Sequence, residues 1–218
     1  MNVSRTFTPQ DLRYLNMLSR QYPTVQAAST EIINLQAILN LPKGTEHFMS
    51  DIHGEHEAFQ HVLKNASGDI KRKVREVLGD ELNDKEIRAL CTLIYYPAEK
   101  LQLIKAEHEG EDMHDWYALT LRRLISVCQN ISSKYTRSKV RKNLPEEYAY
   151  IIEELMHEAN DFRNKQAYFS AIINTIIGTG RADHFITALC YLIQRLVIDR
   201  LHILGDIFDR GPGAHKIM

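Results

Sequence analysis

Two short apolar segments, each ending at an aspartate, stand on either side of a long helical pattern and constrain the fold most strongly. The first is EHFMSD, residues 46–51, and the second is DRLHILGD, residues 199–206. A short apolar run bounded by charged residues or glycine is typical of a buried strand. If the two strands are parallel neighbours in one sheet, both aspartates emerge at its C-terminal edge, where open α/β sheets bind their ligands.

The chain between these segments is predicted to be helical. After residue 54, apolar residues recur with the spacing of an amphipathic helix in one segment after another, and prolines and glycines separate the segments. Two further helices precede the first strand. The first has Thr8 as its N-cap and Pro9 in its first turn, and the second follows Pro23.

These patterns predict an α/β fold in which a small sheet accompanies a mostly α-helical chain. Residues 1–67 hold the N-terminal helices, the first strand and a D-x-H-G motif, residues 68–196 form a helical insertion, and residues 197–218 hold the second strand and a G-D-x-x-D-R-G motif. We expect the first and third parts to belong to one domain, because their strands share a sheet.

The composition is that of a globular protein without a nucleic-acid or membrane partner. The net charge of −1 argues against a nucleic-acid-binding surface, which carries a basic surplus. The longest apolar runs are far shorter than the roughly 20 residues that span a bilayer, and the first residues lack the apolar stretch of a signal peptide. Cys91, Cys128 and Cys190 each lie in an apolar segment, so we expect reduced core thiols in a cytoplasmic protein.

The first motif is DIHG, residues 51–54, directly after the first strand. Asp51 and His53 are two residues apart, so that a carboxylate and an imidazole can reach one divalent ion. Gly54 permits a sharp turn into the next helix. Taken alone, so short a motif also fits a helix cap followed by a surface histidine. The neighbouring His56 and His61 are predicted to be ordinary helix-surface residues.

The second motif is GDIFDRG, residues 205–211, after the second strand. Asp206 can ligate a metal, and its two oxygens can bridge two ions. Asp209 is better placed to orient another group through a hydrogen bond. Arg210 offers a planar fork that fits phosphate oxygens. Taken alone, the motif also fits a tight turn with an exposed Asp–Arg pair.

Together the two motifs resemble the calcineurin-like metallophosphoesterases, and specifically their phosphoprotein-phosphatase pattern D-x-H-G … G-D-x-x-D-R-G. That pattern holds two divalent ions. The resemblance implies that Asp51 and His53 bind the first ion and that Asp206 bridges both. It also implies that Arg210 binds the substrate phosphate, and that Asp209 orients a catalytic histidine from a later motif. The sheet would be of the metallophosphoesterase type.

The long helical insertion and the opening segment are similar to one branch, the class 3 fructose-1,6-bisphosphatases of bacteria. The segment that carries this similarity is LRYLNMLSRQYPTVQAASTEIINLQAILNLPKGTEHFMSDIHGEHEAF, residues 12–59. The resemblance implies hydrolysis of the 1-phosphate of fructose 1,6-bisphosphate in gluconeogenesis, with a divalent metal, expected to be Mn²⁺, as the cofactor. The expected partner is a small phosphorylated sugar, and the oligomeric state stays open.

The later G-N-H-E motif of the pattern is absent from these 218 residues. We therefore expect the chain to be an N-terminal part of such an enzyme, to bind one ion weakly and to have no useful activity by itself. Two other interpretations stay open. One is another calcineurin-like phosphoesterase, such as a protein phosphatase or a dinucleotide hydrolase. The other is a non-catalytic helical interaction module.

Overall fold

In the part of the chain that the structure describes, α-helices dominate the secondary structure and two short strands accompany them. The computed structural model describes residues 7–157 and 163–217. The strands are β1 (Glu46–Met49) and β2 (Arg200–Ile203), and a short 3-10 helix spans Ala66–Gly68. The α-helices are α1 (Pro9–Gln21), α2 (Val25–Leu39), α3 (His56–Asn65), α4 (Asp69–Leu78), α5 (Asp84–Tyr95), α6 (Pro97–Glu107), α7 (His114–Ser132), α8 (Arg137–Arg141), α9 (Ala149–His157), α10 (Arg163–Gly178), α11 (Ala182–Val197) and α12 (Ala214–Ile217).

The chain divides into two compact units, one ending at Pro42 and the other starting at Lys43. The first unit contains α1 and α2. Thr8 caps α1 as predicted: its hydroxyl accepts a hydrogen bond from the Asp11 backbone N–H, and the Asp11 carboxylate accepts one from the Thr8 backbone N–H. Thr24 caps α2 through the backbone N–H of Ala27. These caps satisfy backbone donors that have no partner inside the helix.

The predicted parallel strand pair is confirmed within the second unit. Strands β1 and β2 are parallel neighbours, with Glu46 opposite Arg200 and Met49 opposite Ile203. Both strands therefore end at the same edge of the sheet, and the two aspartate motifs follow there. A mostly helical chain with a small parallel sheet is consistent with the predicted α/β class.

The helices α4–α11, here called the helical block, have an apolar core of their own, as the periodic pattern predicts. Helix α11 lies at its centre and packs most extensively against α7. Ile186, Leu189 and Ile193 of α11 are almost completely buried. Burial of each such side chain contributes roughly 1.5–3 kcal/mol of hydrophobic stabilisation. Only two residues separate α11 from β2, so the chain passes directly from the packed helices into the sheet.

Some helix boundaries differ from those that the sequence predicts. The segment PEEYAYIIEELMHEA predicts a helix over residues 145–159. Helix α9 begins at Ala149 instead, because residues 145–148 form a turn in which the Tyr148 N–H donates to the Pro145 carbonyl. Its predicted end at Ala159 lies outside the described residues. The pattern also missed α8 and α12, which have five and four residues. Helices of about one turn carry no amphipathic period to detect.

The cysteines occupy the core that the sequence predicts. Cys91, Cys128 and Cys190 are buried free thiols. Burial raises the pKa of each thiol above its ordinary value, so these groups are unreactive. No helix in the described part of the chain combines the length and the apolar character that a membrane crossing requires.

Candidate metal centre

The candidate site is built by two loops at the C-terminal edge of the sheet. One loop follows β1 and the other follows β2, and backbone hydrogen bonds join them. The N–H of His53 donates to the Asp206 carbonyl at 2.8 Å, and the N–H of Gly54 donates to the Ile207 carbonyl at 2.8 Å. In return, the N–H of Gly211 donates to the His53 carbonyl at 2.6 Å. The positions of the two motifs are therefore fixed relative to each other by the main chain.

Glycines make this close approach possible. Gly54 has a φ of +70°, and a Cβ there would lie 2.6 Å from the carbonyl oxygen of Gly211. A Cβ on Gly211 would overlap the His53 carbonyl oxygen, and one on Gly213 would lie 2.8 Å from the Gly54 carbonyl oxygen. The glycines of both motifs thus allow the two loops to touch along their backbones.

The site residues have an unusual backbone conformation. Asp51, His53, Asp206 and Arg210 have φ values of +56°, +49°, +50° and +73°. Left-handed backbone costs non-glycine residues roughly 1–2 kcal/mol each, and such residues cluster at functional sites. The surrounding hydrogen bonds hold these side chains in positions that the local sequence does not favour.

Three predicted metal ligands are close together. Asp51, His53 and Asp206 each offer a ligand atom, and these atoms all lie within 4.8 Å of one another. The Nε2 atom of His53 is 3.6 Å from Oδ1 of Asp51. Neighbouring ligands of one small divalent ion are about 3 Å apart and opposite ligands about 4.2 Å, so the three side chains lie near each other but would have to move closer together to share one ion. The predicted proximity is confirmed, whereas the role as metal ligands stays a prediction.

Asp209 has a partner that the sequence did not indicate. Its Oδ1 atom lies 3.0 Å from Nδ1 of His53. An ionised carboxylate only accepts, so Nδ1 carries the proton and the lone pair of Nε2 is left for a metal. The hydrogen bond from His53 lowers the pKa of the Asp209 carboxyl. Orientation of a later catalytic histidine by Asp209 stays a prediction, since in the described residues its histidine partner is His53.

Arg210 and Ser50 complete the site. The Nε atom of Arg210 is 3.3 Å from Oδ2 of Asp209, and the arginine side chain is 76% exposed. An exposed guanidinium held beside Asp209, which itself contacts His53, can bind the oxygens of a phosphate. The hydroxyl of Ser50 donates to Oδ2 of Asp51 at 2.6 Å. Ser50 was not among the predicted site residues, although its position directly before a candidate ligand is a signal for such a role.

Other histidines have packing roles. The Nδ1 atom of His61 lies 2.6 Å from the hydroxyl of Tyr96, and the two rings stack. His202 stacks on Phe48 with ring centroids 4.6 Å apart. Within the described residues, Asp51, His53 and Asp206 form the one group of three acidic, histidine or cysteine side chains that could hold a metal ion.

The fold and the site define a candidate metal-binding α/β protein, and the comparisons with known proteins give its family. The family model described as "Firmicute fructose-1,6-bisphosphatase" matches residues 13–218. The chain therefore belongs to this fructose-1,6-bisphosphatase family. No solved structure matches the chain.

The curated relatives carry the name "Fructose-1,6-bisphosphatase class 3". The relative from Bacteroides fragilis is 66% identical over 222 residues, which cover 100% of this chain and 33% of the relative. The relative from Bacteroides thetaiotaomicron is 64% identical, with the same coverage, and the one from Clostridium novyi is 62% identical over 96% of this chain and 31% of the relative. The chain thus spans about a third of the length of these relatives.

Proposed function

We propose that the chain forms the first half of the active site of a class 3 fructose-1,6-bisphosphatase, which hydrolyses the 1-phosphate of fructose 1,6-bisphosphate in the cytoplasm during gluconeogenesis. The observation that carries this proposal is the convergence of Asp51, His53 and Asp206 at one sheet edge. Membership of the family supports the reaction and the phosphorylated sugar substrate. On this proposal, β1 and β2 are the first strands of a metallophosphoesterase-type sheet, and the helical block is inserted between them.

The ligand set suits a divalent ion such as Mn²⁺. Carboxylate oxygens and an imidazole nitrogen are ligands that this ion accepts. A divalent ion bound here would supply positive charge for the phosphoryl oxygens and would lower the pKa of a water molecule that attacks phosphorus. Asp51, His53 and Asp206 would hold the first ion, and Asp206, whose carboxylate has two oxygens, would also be available to a second ion.

The other side chains prepare the site for a phosphate ester. Asp209 holds the proton of His53 at Nδ1 and so keeps Nε2 free to act as a ligand. Arg210 binds the phosphate and stabilises the charge that develops on its oxygens during the reaction. Ser50 holds one oxygen of Asp51 and so limits the rotation of that carboxylate.

A second ion needs more ligands than these residues provide. Of the predicted ligands, only Asp206 would contact it, and we infer that the others lie in the part of the relatives that this chain does not span. The 218-residue chain alone is therefore expected to bind one ion weakly and to release phosphate at a negligible rate. Because this chain offers only one ligand to a second ion, a complete two-ion site would also require the part of the relatives that this chain does not span.

A chimaera tests the proposal. These 218 residues are continued with the remaining two thirds of the Bacteroides fragilis relative, and phosphate release from fructose 1,6-bisphosphate is measured with Mn²⁺. The chimaera is expected to be active, whereas the 218-residue chain is not. Asp206→Asn is expected to abolish turnover in the chimaera, and Arg210→Ala is expected to weaken substrate binding and to lower the rate.

The matched control is Asp80→Asn, which removes the charge of an exposed aspartate in the turn after α4. This control should release phosphate as fast as the parent chimaera. Unchanged activity of the Asp206→Asn chimaera would refute the assignment of the site. Robust Mn²⁺-dependent phosphate release by the 218-residue chain would refute the account of the missing ligands.

A further inference from the structure

A second cluster of charged residues lies at the opposite edge of the sheet, where both strands begin. Asp199 directly precedes β2, and Thr45 directly precedes β1. The backbone N–H of Asp199 donates to the Thr45 carbonyl at 2.9 Å, and the backbone N–H of Thr45 donates to Oδ2 of Asp199 at 2.8 Å. A single aspartate, the residue before β2, therefore holds the residue before β1 through both its main chain and its side chain.

Two lysines connect this aspartate to the helical block. Lys134 lies between α7 and α8, and its Nζ is 2.9 Å from Oδ2 of Asp199. The same Nζ donates to the hydroxyl of Thr45 and to the carbonyl of Val197, each at 3.0 Å. Lys139 of α8 donates to Oδ1 of Asp199 at 2.8 Å. The segment α7–α8 is thus tied to the end of α11 and to the starts of both strands at one point.

The contact between Asp199 and Lys134 is largely shielded from water, which strengthens it. The side chain of Asp199 is 12% exposed and that of Lys134 is 15% exposed, whereas Lys139 is 51% exposed. Burial by itself would raise the pKa of the Asp199 carboxyl, but the hydrogen bonds that it accepts outweigh this and hold its pKa well below the usual value. The carboxylate is therefore ionised and fully engaged at neutral pH.

Gly44 supports the same cluster. A Cβ at this position would lie 2.6 Å from Cγ of Asp199, so that the aspartate occupies the space a side chain would need. The φ of Gly44 is not in the left-handed region, and the glycine is therefore explained by this close contact and not by its backbone.

The consequence concerns the metal centre. A pair of parallel strands with four residues each has a weak ladder of its own, and a slip by one residue would move one motif by about 3.3 Å along the other. We propose that Asp199 is a positioning residue: it fixes the register of β1 against β2 from the helical block, and so sets the spacing of Asp51 and Asp206. This inference rests on the proposed function for the meaning of that spacing.

The test compares variants of the 218-residue chain at a temperature where circular dichroism shows all of them folded. Asp199→Asn removes the charge, and Gly44→Ala displaces the aspartate without changing any charge. We measure Mn²⁺ binding by titration calorimetry and amide hydrogen exchange of residues 45–50 and 199–204. Both variants are expected to bind Mn²⁺ on the order of tenfold more weakly, and to exchange faster in these two segments.

The matched control is Asp183→Asn. Asp183 also accepts from a lysine, Lys105 at 2.7 Å, and from the hydroxyl of Tyr117 at 2.8 Å. All three residues belong to the helical block. This control is expected to lower the unfolding temperature and to leave Mn²⁺ binding unchanged, since a purely structural loss does not alter the register of the strands.

The outcomes separate this inference from the proposed function. If Asp199→Asn and Gly44→Ala bind Mn²⁺ as tightly as the parent chain, the positioning role is wrong. If the parent chain does not bind Mn²⁺, the proposed metal centre fails, and hydrogen exchange alone decides the inference: unchanged exchange in the strand segments overturns it. If Asp199→Asn does not fold, Gly44→Ala and the milder Lys139→Ala, which removes an exposed lysine, provide the same readouts.

Discussion

The Nδ1 atom of His53 lies 3.0 Å from the Oδ1 atom of Asp209, and this contact joins the two motifs side chain to side chain. The same imidazole places Nε2 at 3.6 Å from Oδ1 of Asp51. One ring therefore spans the loop after β1 and the loop after β2. Because the carboxylate of Asp209 only accepts hydrogen bonds, the contact also selects the tautomer of His53.

The first prediction concerns this tautomer. Asp209→Asn replaces an acceptor by an amide that can also donate, so that His53 loses the fixed proton at Nδ1. We expect Mn²⁺ binding to weaken by about 10–100-fold, as is typical when the partner of a metal-binding histidine is changed. Nitrogen NMR of labelled histidine should show Nδ1 protonated in the parent chain and a mixture of tautomers in the variant. Unchanged tautomer and affinity would show that Asp209 does not set the state of His53.

The second prediction concerns the contact between the loops. Gly54→Ala places a methyl group 2.6 Å from the Gly211 carbonyl oxygen at a φ of +70°. We expect the free energy of unfolding to fall by about 1–3 kcal/mol, since both the backbone and the contact are strained. Urea unfolding measures the change.

Gly178→Ala is the matched control for this substitution. Gly178 is the last residue of α10, and nothing lies within 4 Å of the position that its Cβ would take. Alanine should be neutral there, or should stabilise the fold by about 0.4–1 kcal/mol, because it lowers the conformational entropy of the unfolded chain. Equal effects of the two substitutions would contradict a tight contact at Gly54.

The third prediction concerns pH. The pKa of the Asp199 carboxyl is lowered in the folded chain. In the unfolded chain this carboxyl therefore binds its proton at a higher pH, about 3.9. The ionised carboxylate therefore contributes its full stability above that pH, and the contribution is lost as the pH falls towards the folded pKa. The difference in unfolding free energy between the parent and Asp199→Asn should be constant from about pH 5 to 7 and shrink below about pH 4. A difference that does not change down to about pH 3 would contradict a lowered pKa.

The sequence predicted the long helices well because periodic burial determines them. Helix α11 has an apolar residue at nearly every inward position, and its core residues Ile186 and Leu189 are buried as that pattern requires. The pairing of β1 with β2 was predictable for a different reason. An aspartate motif follows each strand, and two such motifs can contribute to one site only if their strands end at the same edge of one sheet. Helices α8 and α12 were not predictable, since about one turn contains no period.

The details of the site depend on tertiary contacts that no local pattern encodes. The left-handed backbone at His53 and Asp206 occurs where a hydrogen bond, from the His53 N–H to the Asp206 carbonyl, joins two loops that are far apart in sequence. The pairing of Asp209 with His53 depends on the same meeting of the loops. Asp199 looked like an ordinary charge at the start of a strand, and its importance follows only from the approach of Lys134 and Lys139.

A calorimetric titration of the 218-residue chain with Mn²⁺ tests directly whether Asp51, His53 and Asp206 together hold a divalent ion. We expect one ion per chain, with binding that Asp206→Asn weakens by at least about tenfold and that the exposed control Asp80→Asn leaves unchanged. Binding of equal strength in the parent chain and in a variant carrying Asp51→Asn, His53→Ala and Asp206→Asn together would contradict this expectation.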